Sequence, residues 1–326
     1  MDSSLIEKIV TRQAGICFYG MAAPKAATPA EELSGIVARQ LQRLGTLKLD
    51  GLIVYDIQDE GERIAAPRPF PFLPTLDPWT YAHTHLADLT VPKVVYRCVN
   101  RDTPETFVRW LADVNRRSVP RLTVLVGAPS QSARTGLTLT DAYSAAREHA
   151  PDLILGGIAI GERHSRRQDE HMRILAKTGE GCRFFVTQAV YDVTATKSLL
   201  SDYAMVLRDR GEAPVPIILT FSPCGSEKTL AFMKWLGIHF PRWLENDLRL
   251  APDPLATSLA LCESIFAEVW HYAQDRGVPL GINVESVSIR KAEIEASLEL
   301  LRRLQHRIET QSQAVLPVSR GRTKEA

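Results

Sequence analysis

The chain has 326 residues, of which 45% are hydrophobic and 24% are charged, a composition typical of a globular protein with a sizeable core. Its 39 basic and 38 acidic residues give a formal net charge of +1, so bulk charge indicates neither a nucleic-acid nor a membrane partner. At this length the chain could form one large domain, such as an α/β barrel, or two domains of ordinary size.

Targeting and cysteine patterns predict a cytoplasmic protein. The N-terminal segment lacks the apolar centre of a signal peptide, and no segment approaches about 18 uninterrupted apolar residues. The five cysteines are far apart and form no CxxC pair, so they predict neither disulfides nor a metal site.

Eight short apolar runs, rich in β-branched and aromatic residues, predict eight β-strands. Most of them lack strict alternation of apolar and polar residues, which favours a parallel sheet that is covered on both faces. In chain order the runs are 15–22, 51–57, 92–99, 121–128, 152–160, 182–190, 215–221 and 279–285.

Helical patterns lie between these runs, and several begin with a capping signal. Residues 28–31 combine an N-cap threonine, a proline and a capping-box glutamate, and residues 103–104 and 253–254 repeat the cap followed by proline. Residues 165–168 have the S-x-x-Q form of a capping box. The predicted helices are 29–44, 104–117, 140–149, 166–178, 195–210, 227–236, 254–276 and 290–308.

Alternating strands and helices, without Gly-x-Gly-x-x-Gly after the first strand, favour a closed (β/α)8 barrel over a doubly wound sheet. We predict one barrel domain over residues 1–309 and a disordered tail over 310–326. The connection 63–85 is rich in proline and has no helical period. Long irregular loops in compact domains are often functional, and its aromatic residues predict an ordered cover. These aromatic residues are Phe70, Phe72, Trp79 and Tyr81.

Polar residues at the strand ends are the first candidates for a site, because barrel enzymes place their active sites there. Gln188 is one of them, and strand periodicity puts it on the same face as Phe184 and Val186. An amide offers donors and an acceptor, which suits a planar heterocycle. The alternative is a glutamine that is satisfied by neighbouring backbone.

Residues 157–193 contain a strand-end carboxylate and histidine, a helix ending in Lys-x-x-x-Gly, and an apolar strand that closes on Thr-Gln. Residues 215–244 add a strand with an Ile-Leu core and a later Pro-x-Trp, and residues 54–63 add a strand followed by Gly-Glu-Arg. Together these segments resemble the methylenetetrahydrofolate reductase family. The resemblance extends over about residues 15–305 and is closest over 150–245.

The resemblance implies a barrel that binds FAD at the C-terminal ends of its strands. NAD(P)H would reduce the flavin, which would pass hydride to 5,10-methylenetetrahydrofolate and give 5-methyltetrahydrofolate. Gln188 matches the family's glutamine that contacts folate and nicotinamide. The residues predicted to bind the cofactor are Tyr55, Gly127, His164, Glu170 and Lys177.

Two of these positions, Glu170 and Lys177, belong to one predicted helix. Glu170, where the family more often has Asp, shares a helix face with Arg173 and Lys177 by i, i+3, i+7 spacing. The alternative for this face is an ordinary solvated surface.

The chain departs from the family pattern at two strand ends. The family's general acid on strand 1 corresponds to Gly20, and its Arg-Gly-Asp on strand 4 corresponds to residues 126–128, Val-Gly-Ala. A positioned general acid contributes roughly 10²–10⁴-fold to a rate, so a replacement carboxyl is expected. The candidate catalytic residues are Asp56, Glu162 and Glu285.

Each candidate acid at strands 5 and 8 has a structural alternative. Glu162 could form a salt bridge with Arg163 or Arg166. Glu285 could be a partner of Arg290 or a helix cap, although burial within an apolar run would raise its pKa and suit a general acid.

These residues leave three functions open. The first is an FAD-dependent methylenetetrahydrofolate reductase with a recruited acid. The second is a flavin-free reductase in which NAD(P)H or another reduced carrier transfers hydride directly to the pterin-bound one-carbon unit. The third is a folate-binding or accessory barrel without catalysis. In each case the expected partner is a tetrahydrofolate-type small molecule, and a homo-oligomer stays open.

Overall fold

The structure is a computed structural model that describes residues 4–59, 61, 66–117, 120–127 and 136–314. Eight strands of these residues form one closed parallel barrel, in which each strand pairs with the next and β8 pairs with β1. The predicted (β/α)8 barrel is confirmed. The strands are β1 Cys17–Ala22, β2 Gly51–Tyr55, β3 Lys93–Cys98, β4 Leu122–Val126, β5 Ile154–Ala159, β6 Cys182–Ala189, β7 Ile217–Phe221 and β8 Leu280–Glu285.

The α-helices of the described residues alternate with these strands. Thr103 and Asp253 cap α4 and α11 with their side chains, as predicted. The helix α2 begins without a side-chain cap, so the capping box predicted at 28–31 does not form. The helices are α1 Leu5–Val10, α2 Ala30–Leu44, α3 Pro78–Thr80, α4 Pro104–Asn115, α5 Leu139–His149, α6 Gly161–Arg167, α7 Glu170–Gly179, α8 Val193–Arg210, α9 Glu227–Trp235, α10 Arg242–Leu250, α11 Pro254–Gln274 and α12 Lys291–Ala314.

The single helix predicted over 166–178 is wrong, because a break divides this region into α6 and α7. Gln168 adopts the left-handed conformation, with φ of 53°, and ends α6. The helix α7 then begins after Asp169, so the capping box predicted at 165–168 does not form. Because of this break, His164 and Glu170 lie on two different helices.

Apolar packing fills the barrel and leaves polar groups to its C-terminal end. Alternate strand residues such as Phe18, Phe184 and Val186 form an interior cluster, which Leu5 and Ile9 of α1 join. A larger cluster lies between the strands and the helices. Since full burial of one large apolar side chain contributes roughly 1.5–3 kcal/mol, these two clusters hold the strand ends in place.

Where the structure describes it, the proline-rich connection forms an ordered cover. Phe70 packs edge-on against Phe232 of α9, with ring centroids 5.3 Å apart, and the Trp235 indole nitrogen donates to the Ala66 carbonyl at 3.0 Å. The end of the connection is helical, which was not predicted, since α3 runs into a π-helical turn over Tyr81–His85. Residues 62–65 lie outside the described residues.

The last helix corrects part of the predicted tail. Residues 310–314 belong to α12, and residues 315–326 lie outside the described residues. None of the helices in the described ranges has the length and apolar content that a membrane crossing requires. All five cysteines are buried and have free thiols.

Candidate functional site

A connected polar cluster lies where β2, β3 and β8 end. The Asn283 Nδ2 atom donates to the Tyr55 hydroxyl at 2.8 Å and to Thr220 Oγ1 at 3.2 Å. The Tyr55 hydroxyl is also hydrogen-bonded to Glu285, and the Tyr96 ring packs edge-on against Tyr55 with centroids 4.9 Å apart. We call Tyr55, Tyr96, Asn283 and Glu285 the mouth cluster.

Gly20 makes room for the mouth cluster. It lies opposite Glu285 in the register of β1 and β8. A Cβ atom at position 20 would lie 2.6 Å from the Tyr55 hydroxyl oxygen and 3.0 Å from Asn283 Oδ1, so a side chain there would displace both groups. The position that matches the family's acid is therefore filled by neighbouring side chains, and the adjacent carboxyl comes from the next strand.

The Glu285 carboxyl has an unusual proton affinity. Burial raises its pKa from the ordinary 4.5 to about 7, and the hydrogen bond with Tyr55 opposes this rise. A group that titrates near neutral pH is suited to give and take protons. The alternative partner Arg290 lies 3.8 Å from Glu293 instead.

The raised pKa of Glu285 predicts a pH-dependent stability. Below about pH 4.5 the carboxyl is protonated in both the folded and the unfolded chain, and its burial carries no charge penalty. Between 4.5 and about 7 the unfolded chain ionises first, so the group's contribution is lost as pH rises, up to about 3 kcal/mol. We expect Glu285→Gln to be more stable than the parent by about this amount at pH 8.5 and nearly equal at pH 4.5.

Urea unfolding of both proteins at the two pH values measures this difference. Subtracting one protein from the other cancels the titration of all other carboxyls. A difference that does not change with pH would contradict the raised pKa of Glu285.

A second polar group lies at the ends of β5 and β6. His239 Nδ1 is 2.7 Å from Asp192 Oδ2, and the His239 backbone N–H donates to Glu162 Oε1 at 3.3 Å. Burial raises the pKa of Glu162, and the neighbouring Asp192 charge adds to the rise. The salt bridges considered for Glu162 do not form, because Arg166 contacts its backbone oxygen and Arg163 pairs elsewhere. Glu162 is thus a second ionisable carboxyl at the mouth.

Gln188 lies at an irregularity of β6. Phe184 and Val186 point into the barrel, as predicted, but the register with β7 shifts between Val186 and Ala189. The Gln188 amide donates to the Leu236 carbonyl at 2.7 Å. One N–H of this amide is therefore satisfied by backbone, which was the alternative considered for Gln188. The contact also ties the end of β6 to the end of α9.

Asp56 is an ion-paired carboxylate and does not present a free acid. Arg101 donates to both of its oxygens, at 2.5 and 2.7 Å, and the Cys98 backbone N–H donates at 2.8 Å. Its side chain is 4% exposed. These contacts hold the end of β2 against the residues after β3, so the candidate acids narrow to Glu285 and Glu162.

Two residues predicted to hold a flavin nucleotide make structural contacts in the described chain. Glu170 is fully buried, which rules out a solvated face, and accepts from the Ile160 N–H at 3.0 Å and from Arg163 at 2.6 Å. Lys177 Nζ donates to the Ile158 carbonyl at 2.9 Å, and burial lowers the pKa of this lysine.

The remaining positions predicted for the flavin are His164, Tyr55 and Gly127. His164 is 2% exposed and lies 3.1 Å from Asp202 of α8, and Tyr55 belongs to the mouth cluster. Val126, where the family has Arg, packs against the interior cluster. Gly127 follows it with no side chain, and Ala128 lies outside the described residues. In the described chain Glu170, Lys177, His164 and Tyr55 are thus engaged with other protein groups.

Fold and site together define a (β/α)8 barrel with an ionisable carboxyl at its mouth. No family model and no curated protein matches the chain. One solved structure is an uncharacterised protein from Clostridium thermocellum that binds two copies of 5-methyl-5,6,7,8-tetrahydrofolic acid. It is 44% identical, with a TM-score of 0.81, and the match covers 93% of this chain and 99% of that chain. The chain belongs to the same family as this protein.

Other solved structures are much less similar. The xylanase XynB from Paenibacillus barcinonensis is 11% identical, with a TM-score of 0.45 over 87% of each chain. An endoxylanase from a sugarcane soil metagenome is 10% identical, with a TM-score of 0.48 over 89% of this chain and 97% of that one. These likenesses are too weak to bear on function.

Sequence reasoning missed two residues of the site. Tyr96 lies in the apolar strand β3, for which no site residue was predicted. Its position two residues before the strand end is the signal that could have identified it. His239 follows α9 in an irregular segment with no motif, and the contact with Asp192 identifies it.

Proposed function

We propose that this protein binds a reduced folate at the barrel mouth and reduces its one-carbon unit from the methylene to the methyl level. The observation that supports this most is Glu285, a carboxyl with a pKa of about 7 directly beside Gly20. Gly20 is where the resemblance to methylenetetrahydrofolate reductases calls for the general acid. The relative from Clostridium thermocellum binds 5-methyltetrahydrofolic acid, the product of this reaction.

In the proposed step Glu285 gives its proton to N10 of 5,10-methylenetetrahydrofolate while the bond from N10 to the methylene carbon breaks. The remaining N5 iminium accepts one hydride and becomes the 5-methyl group. One proton and one hydride thus balance the reaction. Asn283 fixes the Tyr55 hydroxyl, which in turn holds the Glu285 carboxyl. An acid with a pKa near the working pH is effective both in losing and in regaining its proton.

For the hydride donor we favour NAD(P)H acting directly, the flavin-free form of the reaction. The residues expected to hold FAD are engaged in other contacts, as described above. Gln188 is assigned to folate and nicotinamide by the resemblance. Among the described residues its amide has one hydrogen-bond partner, the Leu236 carbonyl, so donor and acceptor capacity is left for a ligand.

Folate binding without catalysis is the second candidate. It is favoured by the relative, whose ligands are two copies of the methyl form of the folate. The two candidates share the binding step and differ in whether Glu285 delivers a proton.

Isotope transfer tests the proposal. Purified protein is titrated calorimetrically with 5-methyltetrahydrofolate, and turnover of 5,10-methylenetetrahydrofolate is followed by mass spectrometry with NAD(P)H deuterated at the transferred position. We expect binding, a colourless protein, and one deuterium in the methyl group without added flavin. A yellow protein that loses the label to solvent would establish the FAD form instead. Binding without turnover would establish the second candidate, and absence of binding would overturn both.

A further inference from the structure

We propose that His164, His171 and Asp202 form a binding site for one divalent transition-metal ion, separate from the barrel mouth. The three residues come from α6, α7 and α8, and one potential ligand atom from each lies within 4.8 Å of the other two. His164 Nε2 is 3.1 Å from Asp202 Oδ2, and the two imidazole rings meet edge to face with centroids 5.4 Å apart.

Unpaired buried atoms at this junction give independent support for a ligand. His164 Nδ1, His171 Nδ1 and Asp169 Oδ1 are all buried and have no hydrogen-bond partner within the part of the chain that the structure describes. A buried polar atom without a partner is costly, and few occur in a folded protein. Of these atoms, the unpaired His171 Nδ1 is explained if it binds an ion that His164 Nε2 and Asp202 Oδ2 also hold.

The donor set suits zinc and related first-row ions. Two imidazoles and a carboxylate bind Zn²⁺, Co²⁺ or Fe²⁺ through bonds of about 2.0–2.2 Å, which at tetrahedral angles places the ligand atoms about 3.3–3.6 Å apart. His164 Nε2 and Asp202 Oδ2, which are 3.1 Å apart, are already close to this separation. The His171 ligand atom must approach by at most about 1.5 Å, which a side-chain rotation supplies. Since Asp202 and His171 are partly exposed, an ion can enter from solvent.

The position of the site predicts what a bound ion does for the protein. The helix α6 carries Glu162 in its first turn. Asp192 precedes α8 and caps it, because its side chain accepts from the Ala195 N–H at 2.9 Å. An ion bound by His164 and Asp202 would join these two helices. It would therefore fix the polar group at the ends of β5 and β6.

Cobalt substitution tests the site without reference to folate or turnover. The full chain is stripped with a chelator and titrated with Co²⁺, then with Zn²⁺. We expect visible cobalt bands that saturate at one equivalent and disappear as Zn²⁺ displaces the cobalt. His171→Ala and Asp202→Ala should weaken cobalt binding by more than the 10–100-fold that loss of an outer-shell partner costs. The control His149→Ala, in an exposed histidine of α5, should bind as the parent does.

Circular dichroism of each variant shows whether it folds, and the melting temperature gives a second measurement. Zn²⁺ should raise it in the parent and in His149→Ala but not in His171→Ala. Absence of cobalt bands in the folded parent would overturn the proposal, and so would bands of equal strength in folded His171→Ala.

Discussion

Replacing Glu285 with glutamine should lower the rate of methylenetetrahydrofolate reduction by about 10²–10⁴-fold. Glutamine keeps the size of the side chain and an acceptor for the Tyr55 hydroxyl, but it cannot deliver a proton to N10. Folate binding should change little, because the proton moves only as the ring opens. Steady-state kinetics with NAD(P)H, together with calorimetric binding of 5-methyltetrahydrofolate, measure the two quantities separately.

The pH dependence of kcat/KM in the parent protein gives a second test of Glu285 as the general acid. A general acid works in its protonated form, so kcat/KM should fall as pH rises through about 7, the pKa of Glu285. Glu285→Gln should lose this dependence. The control is Glu162→Gln, since Glu162 is the other mouth carboxyl with a raised pKa. A full loss of turnover in the control alone would assign the acid to Glu162, and unchanged turnover in both variants would remove carboxyl catalysis from the proposal.

Local sequence patterns were sufficient to predict the barrel, because each strand and helix carries its own signal. The relation between Gly20 and Glu285 was not predictable in the same way. These residues are 265 positions apart, and the register of β1 against β8 brings them together only when the barrel closes. The departure at Gly20 and the candidate at Glu285 were each visible in the sequence, but their adjacency was not.

The flavin positions show a different limit. Spacing predicted that Glu170 and Lys177 share a helix face, but spacing does not say whether that face meets solvent or protein. The break at Gln168 lets α6 fold back so that Arg163 reaches Glu170. A left-handed glutamine is uncommon and has no sequence signal, so the buried ion pair could not be predicted.

The surroundings of Gln188 depend on an irregular segment. Its partner Leu236 and the nearby His239 follow α9, where neither hydrophobic period nor a motif fixes the path of the chain. Strand periodicity correctly placed Phe184 and Val186 inside the barrel, but the register shift in β6 begins just before Gln188. The strand thus places Gln188 at the barrel mouth, and the contact with Leu236 after α9 sets the orientation of its side chain.

Replacing Glu170 with glutamine should destabilise the fold by about 3–5 kcal/mol. Its carboxylate is fully buried and neutralises Arg163, while it also accepts from the Ile160 N–H at the end of β5. Glutamine has one acceptor oxygen and an amide group, so an N–H would face the guanidinium and the Arg163 charge would lose its counter-ion. Urea unfolding of the variant and the parent at pH 7 measures the loss.

Two further variants compare the stability that the Glu170–Arg163 pair provides with that of an ordinary surface ion pair. Glu268→Gln breaks an exposed pair with Lys197 and should cost less than about 1 kcal/mol. Replacing Glu170 and Arg163 together with methionine removes both charges, and this double variant should be more stable than Glu170→Gln. If Glu170→Gln instead leaves stability unchanged and weakens retention of a flavin, Glu170 is a cofactor ligand, as the family resemblance implies. A large loss of stability with unaltered folate binding by the folded protein assigns Glu170 to the barrel frame.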